Sequence, residues 1–72
     1  MNTKSYYDLM SFHSEQIHLL QTQIDKKRYS NTLLSYYKND FELCKNDRLE
    51  KIEYSKEKIK TFYKFYLENV SE

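Results

Sequence analysis

The most reactive side chains in this 72-residue chain are His13, His18 and Cys44. A helix turns by about 100° per residue, so His13 and His18, five apart, point about 140° away from each other. A helical two-histidine metal site uses a spacing of four, which puts both imidazoles on one face. His13 instead falls in an apolar stripe and reads as a partly buried core residue, while His18 reads as exposed. Cys44 is the one cysteine, so no intramolecular disulfide can form. It also sits on an apolar face, where a free cysteine behaves as a small hydrophobe. A nucleophilic thiol needs an electropositive, partly exposed setting and a base. In a folded hairpin His13 is the base that would have to reach it. A disulfide between two copies needs an oxidising compartment.

The carboxylates are mixed with lysines along the chain. Asp47–Lys51, Glu53–Lys56 and Glu57–Lys60 have the spacing of ion pairs on a helix surface. There is no glycine, hence no glycine-rich loop to cradle a phosphate. A helical chain of this length also has little room for a deep pocket of enzyme size. The expectation is a non-enzyme with no catalytic residue, no metal and no cofactor.

Twelve basic and 11 acidic residues leave a net charge of +1, unlike a basic nucleic-acid-binding protein or an acidic mimic of one. No apolar run approaches the roughly 18 residues of a membrane span. The start, Met1-Asn2-Thr3-Lys4-Ser5, leads into Tyr6-Tyr7-Asp8 and not into an apolar signal core. A cytoplasmic protein with no membrane span is expected. Gly, Pro, Ala and Trp are all missing, and lysine far outnumbers arginine. Such a bias fits an AT-rich genome, as in a phage, a plasmid, a low-GC bacterium or a parasite.

The same absences bear on the fold. Turns with positive φ usually need Gly or Asn, and a β-rich protein of this size would need several of them. The fold class is therefore all-α, with residues 1–72 as a single small helical domain. Tyr6, Met10, His13, Ile17, Leu20 and Ile24 recur at three- and four-residue spacing and predict a helix near 4–28. Ser30, Asn31 and Thr32 are good N-cap residues. A second helix near 31–45 would present Leu33, Leu34, Tyr37, Phe41 and Cys44. Asp47 followed by Glu50 has capping-box spacing and marks a third helix near 47–70. Its stripe of Leu49, Ile52, Ile59, Phe62, Tyr63, Tyr66 and Val70 is interrupted by Lys56. Two architectures fit: a small three-helix bundle, or a helical hairpin with a long second helix in which the last two segments are continuous. The hairpin is preferred, because reversing the chain within Lys45-Asn46-Asp47 is hard without glycine. A domain this small buries only about 60% of its unfolded surface, so regular packing or association must add stability.

Aromatic content is the unusual feature, with eight Tyr and four Phe making 17% of the chain. Ile59, Phe62, Tyr63, Phe65, Tyr66 and Val70 crowd the last segment and cover more of its circumference than one neighbour can bury. Phe12 and Leu19 make a second apolar row on the first helix, and Tyr36 and Leu43 do so in the middle segment. A three-helix bundle would absorb such rows internally; otherwise they form an interface, where tyrosine is enriched. The expectation is a small protein-interaction module, an inhibitor, chaperone or adaptor. It would bind a larger protein or homo-oligomerise as a dimer through that C-terminal cluster. Lys56, Lys58, Lys60 and Lys64 offer the alternative of nucleic-acid contact by phosphate binding beside aromatics. Against it stand Glu53, Glu57 and Glu68 on or near the same face, and the scarcity of arginine. In size and helix pattern the chain resembles the small helical chaperones of secretion systems and small helical phage regulators. The likeness implies no role for any residue.

Overall fold

The computed structural model describes residues 3–70 and consists of α1 (Thr3–Lys26), α2 (Asn31–Tyr36) and α3 (Phe41–Val70). No strand occurs among the described residues. α1 and α3 pack antiparallel along their length, and the six-residue α2 sits in the connection against α3. The all-α hairpin with a long second helix is thus the architecture, with extents of 51 × 18 × 14 Å. Its radius of gyration is 15.4 Å, where a compact globule of this length would have about 11 Å.

The seam between the long helices follows from residue spacing. On α1 the side facing α3 carries Tyr6, Met10, His13, Ile17, Leu20 and Ile24, all buried or half-buried. These are the residues of the sequence stripe. On α3 the inner line runs Cys44, Arg48, Ile52, Ser55, Ile59, Phe62 and Tyr66. Alternating steps of three and four keep one line of contact on two nearly straight helices. Ser55 is only 5% exposed. It takes the position expected of Lys56, which points to solvent. Leu49, Phe41 and Tyr63, expected in the stripe, lie outside it at 40%, 49% and 52% exposure.

The connection solves a turn problem without glycine. After α1, Lys27 adopts φ 53°. The Lys27 and Arg28 amides then donate to the carbonyls of Ile24 and Gln23. That bond pair closes a helix ended by a left-handed residue. Ser30 caps α2, its Oγ accepting from the Leu33 amide at 3.2 Å. At the end of α2 the pattern repeats: Lys38 has φ 54°, and the Lys38 and Asn39 amides donate to Ser35 and Leu34. Asn39 is also left-handed at φ 62°. Asp40 then caps α3, with Oδ1 accepting from the Glu42 and Leu43 amides at 3.1 Å each.

Two sequence expectations are thereby corrected. The second helix ends at Tyr36, not near residue 45, and the reversal falls at Lys38-Asn39-Asp40. The break at Lys45-Asn46-Asp47 that the three-helix alternative required lies inside α3, which begins at Phe41, not Asp47, and the continuous second helix preferred from about residue 31 is instead interrupted between Tyr36 and Phe41. Asp40 supplies the N-cap that Asp47 was expected to supply, which frees the Asp47 carboxylate for other partners. At 30 residues α3 is about 45 Å long.

Left-handed backbone costs a residue with a Cβ about 1 kcal/mol. Lys38→Gly should therefore raise the thermal midpoint, by about 0.5–1 kcal/mol of stability. Lys45→Gly, on an exposed site inside a continuous helix, should lower it by about 1 kcal/mol. Thermal unfolding followed by far-ultraviolet circular dichroism measures both. An unchanged midpoint for Lys45→Gly would restore the break at residue 45.

Candidate functional site

The C-terminal aromatic cluster is divided by helix geometry. Adjacent positions differ by about 100°, so its members cannot all face one neighbour. Ile59, Phe62 and Tyr66 lie on the α1 side and are half-buried. The Phe62 ring centre is 6.0 Å from that of His13, nearly parallel, and 6.4 Å from that of Tyr6. Tyr63 and Phe65 fall on opposite sides of the seam at 52% and 39% exposure. Tyr63 stacks on Tyr66 at 6.5 Å, and Phe65 tilts onto Tyr6 at 5.9 Å. The Val70 side chain lies outside the described residues.

Each side of the seam is a shallow groove. One, of about 390 Å³, runs between Tyr7, Met10 and Ser14 of α1 and Ile59, Tyr63 and Tyr66 of α3. The other, of about 610 Å³, lies between Phe12, His13, Gln16 and Leu20 and the α3 residues Arg48, Glu50, Lys51, Tyr54 and Ser55. His13 lines its floor. Its Nδ1 is buried with no hydrogen-bond partner. Phe12 and Tyr54 stand edge-on to the imidazole at 5.2 Å and 6.4 Å. Around the grooves Tyr7, Phe12, Leu19 and Tyr54 present large apolar surfaces to solvent.

The lysines do not form one basic face. Lys56 Nζ lies 3.5 Å from the Glu53 carboxylate. Lys58 Nζ sits 5.3 Å above the Tyr54 ring, on the other side of the helix. Lys60 and Lys64 border Tyr63 and Leu67 together with Glu68. Successive residues of the Lys56, Lys60, Lys64 row rotate by about 40°, into the arc that also holds Glu53 and Glu57.

Near the connection a polar clasp fastens α2 to α3. Tyr37 Oη donates to Asp47 Oδ2 at 2.8 Å, and Arg48 Nε donates to Asp47 Oδ1 at 3.0 Å. The hydrogen bond to Asp47 is the main reason the Tyr37 phenol is pushed up to about 12. Burial alone pushes the Asp47 carboxyl up. The hydrogen bonds from Tyr37 and Arg48 and the Arg48 charge outweigh it and hold the group below its ordinary value. Beside this clasp Cys44 is fully buried, with its thiol 3.9 Å from the Leu33 carbonyl. Burial, then the charges of Asp40 and Asp47, push that thiol up and disfavour a thiolate. His13 packs beside Tyr54, ten residues further along α3 and about 15 Å away, so the fold does not bring His13 to Cys44. Among the described residues no group of three His, Cys, Asp or Glu is placed to hold a metal ion. Nor is any helix among them long and apolar enough to cross a membrane.

Two features escaped a reading by apolar period. The clasp did, because Asp47 carried a competing capping signal. So did a charge-poor stretch of α1: between Leu9 and Ile24 the one formally charged residue is Glu15, in a chain that is 32% charged. Comparison with protein-family models, curated proteins and solved structures finds no match, so function must be argued from these surfaces.

The clasp has a defined pH window. Tyr37 holds its proton to a higher pH when folded. Its contribution is complete below the ordinary value of 10.0 and is lost as pH rises towards about 12. Asp47 is depressed, so its contribution is complete above the ordinary 3.8 and is lost as pH falls through its folded value. Thermal midpoints of the wild type should fall at both ends, and Tyr37→Phe should flatten the alkaline limb. Identical alkaline limbs would show that Tyr37 does not tie α2 down. A second prediction separates the aromatic cluster. Phe62→Ala should cost about 2 kcal/mol of stability, because a packed ring leaves a partial cavity. Tyr63→Ala should change it by less than about 0.5 kcal/mol. Equal losses would place both rings in the core.

Proposed function

We propose that this chain is a small non-catalytic interaction module whose apolar flanks bind another protein surface, on a different protein or on a second copy. One observation carries the reading: large apolar side chains stand in solvent on both sides of a hairpin whose buried apolar core, among the described residues, is Leu20, Cys44 and Ile52. The chain exposes 5731 Å² for its 8.9 kDa, where a compact monomer of that mass would expose about 4800 Å². Exposed apolar patches on small proteins mark binding sites, and tyrosine suits them because its ring is apolar and its hydroxyl tolerates water.

On this reading the expected partner-binding set acts in two ways. Ile59, Phe62 and Tyr66 hold the end of α3 on α1. Tyr63 and Phe65, with Leu67, are the members presented to a partner. Burying rings already fixed by the seam costs little side-chain entropy. The module would act by occupying a groove or helix pair on its partner, as an inhibitor, chaperone or adaptor does. The nucleic-acid alternative has weaker support, since Lys56 is paired with Glu53 and Lys58 lies over Tyr54.

The test is site-specific photo-cross-linking in cells that make the protein. A benzophenone side chain at Tyr63 should give a discrete adduct with a protein, whereas the same group at Glu57 should not. Adducts to nucleic acid, or no adduct from either position, would overturn the reading.

A further inference from the structure

The outer face of α1 differs from every other exposed surface of the hairpin. Phe12 and Leu19 are 53% and 54% exposed there. They are seven residues apart and lie within about 20° of each other on the helix. Gln16 and Gln23, half-buried, complete the row on the α3 side. Between Leu9 and Ile24 only Glu15 is charged, whereas on α3 the exposed apolar residues are interspersed with Lys and Glu throughout. Depletion of charge around large apolar side chains is the compositional mark of an interface core. Along the row charge returns at its two ends as Asp8 and Lys26, both within about 40° of Phe12 and Leu19 and about 20° from Glu15, while Asp25 is turned about 120–140° away from the two apolar residues. A shallow hollow between Ser14, Glu15, His18 and Leu19 lies on the same outer side, away from α3.

We propose that two copies of the chain pair through this face, α1 against α1, antiparallel across a two-fold axis near Ile17. The inference rests on the interaction reading above and adds to it a second surface, on α1, with a second copy of the chain as its occupant. The end charges select the partner and its direction. Parallel copies would set Asp8 against Asp8 and Lys26 against Lys26. Antiparallel copies set Asp8 of each chain beside Lys26 of the other, twice per dimer. In that register Leu19 comes opposite Glu15 of the second copy. Phe12 then lies about 4.5 Å along the axis from the level of the other Leu19, within side-chain reach. Glu15 lies some 40–60° from the two apolar residues, and the two Glu15 carboxylates come about 6 Å apart along the axis, a like-charge contact that the two Asp8–Lys26 pairs offset. A net charge of +1 opposes association only weakly. The product is an assembly of four long helices with the α1 helices inside and the α3 helices outside.

Sedimentation equilibrium of the full chain from micromolar to millimolar concentration tests the proposal. The wild type should form a reversible dimer. Phe12→Lys with Leu19→Lys should give a monomer of unchanged helix content, since both side chains are more than half exposed and neither lies on the inner line of the seam. Asp8→Lys alone and Lys26→Asp alone should each weaken the dimer about three- to tenfold, and the two together should restore it. A wild type that stays monomeric throughout overturns the proposal, as does a dimer indifferent to the α1 substitutions or lost only on Tyr63→Lys. A monomer that still cross-links from Tyr63 to a different protein would retire this inference and leave the interaction reading standing. A monomer with no adduct would retire both.

Discussion

Everything in this molecule hangs from one line of contact, the seam between α1 and α3. Two helices have one interface between them, so the chain has a single stripe of burial to stabilise it. A long hairpin with so thin a core can hold its register only if side chains of matched size meet along the whole line. The chain has neither alanine nor glycine to bring helix backbones close. Cys44 and Ser55 take that part, at 0% and 5% exposure. Larger groups fill the intervals: Ile52 and Leu20 near the middle, and the stacked His13 and Phe62 rings towards the open end. The buried, unpartnered His13 Nδ1 is the cost of putting an imidazole into this stripe. Its ring area, packed among Phe12, Tyr54 and Phe62, offsets that cost.

The connection fixes where the seam begins. Two helix ends of the same design, each terminated by a left-handed lysine, bracket α2 and turn the chain back in short steps. Asp40 starts α3, and the Tyr37–Asp47–Arg48 clasp then holds α2 down over Cys44. The order matters physically. With Asp40 as N-cap, Asp47 falls nearly two turns into α3 on the side facing α2, where its carboxylate meets the Tyr37 hydroxyl. Had the helix begun at Asp47, that carboxylate would have capped backbone amides instead, and Tyr37 would have lacked its acceptor.

The sequence made α1 legible and left α3 partly opaque, for identifiable reasons. The six-residue stripe of α1 is its buried line, because only one face of that helix is continuously apolar. The boundary before α2 was legible because Ser30, Asn31 and Thr32 stand together as capping residues. In α3 the Asp47–Glu50 spacing marked a start six residues beyond the true one at Phe41, and local pattern cannot rank Asp40 against Asp47 as N-cap. What ranks them is tertiary: starting at Asp40 satisfies the clasp and buries Cys44. The displaced reversal has a related cause, since the rule that tight turns prefer glycine hid two lysines in left-handed conformation. Lys56 looked like the break in the stripe because the true inner residue, Ser55, is polar and small. Within the aromatic cluster, neighbouring rings at about 100° intervals made seam and surface members look alike. Only the position of α1 separates Phe62 from Tyr63.

The thin core and the exposed flanks are two sides of one constraint. A 72-residue hairpin cannot bury twelve aromatic rings internally, because its single seam has too few positions. A sequence under no demand beyond folding would place charged residues on the remaining faces, as α3 does over much of its outer surface. α1 does not: Phe12 and Leu19 stand in a nearly charge-free stretch, with Asp8 and Lys26 at the two ends of their row. Surface of that kind adds nothing to the isolated hairpin and exposes it to association. On the proposed reading it is retained because association is its use, and binding then feeds back on folding. Any partner that recognises the closed hairpin and not the open chain adds its binding free energy to a seam that has little of its own. The fold and the interface are on that view a single equilibrium, in which the residues that close the hairpin also set how firmly its outer faces are presented.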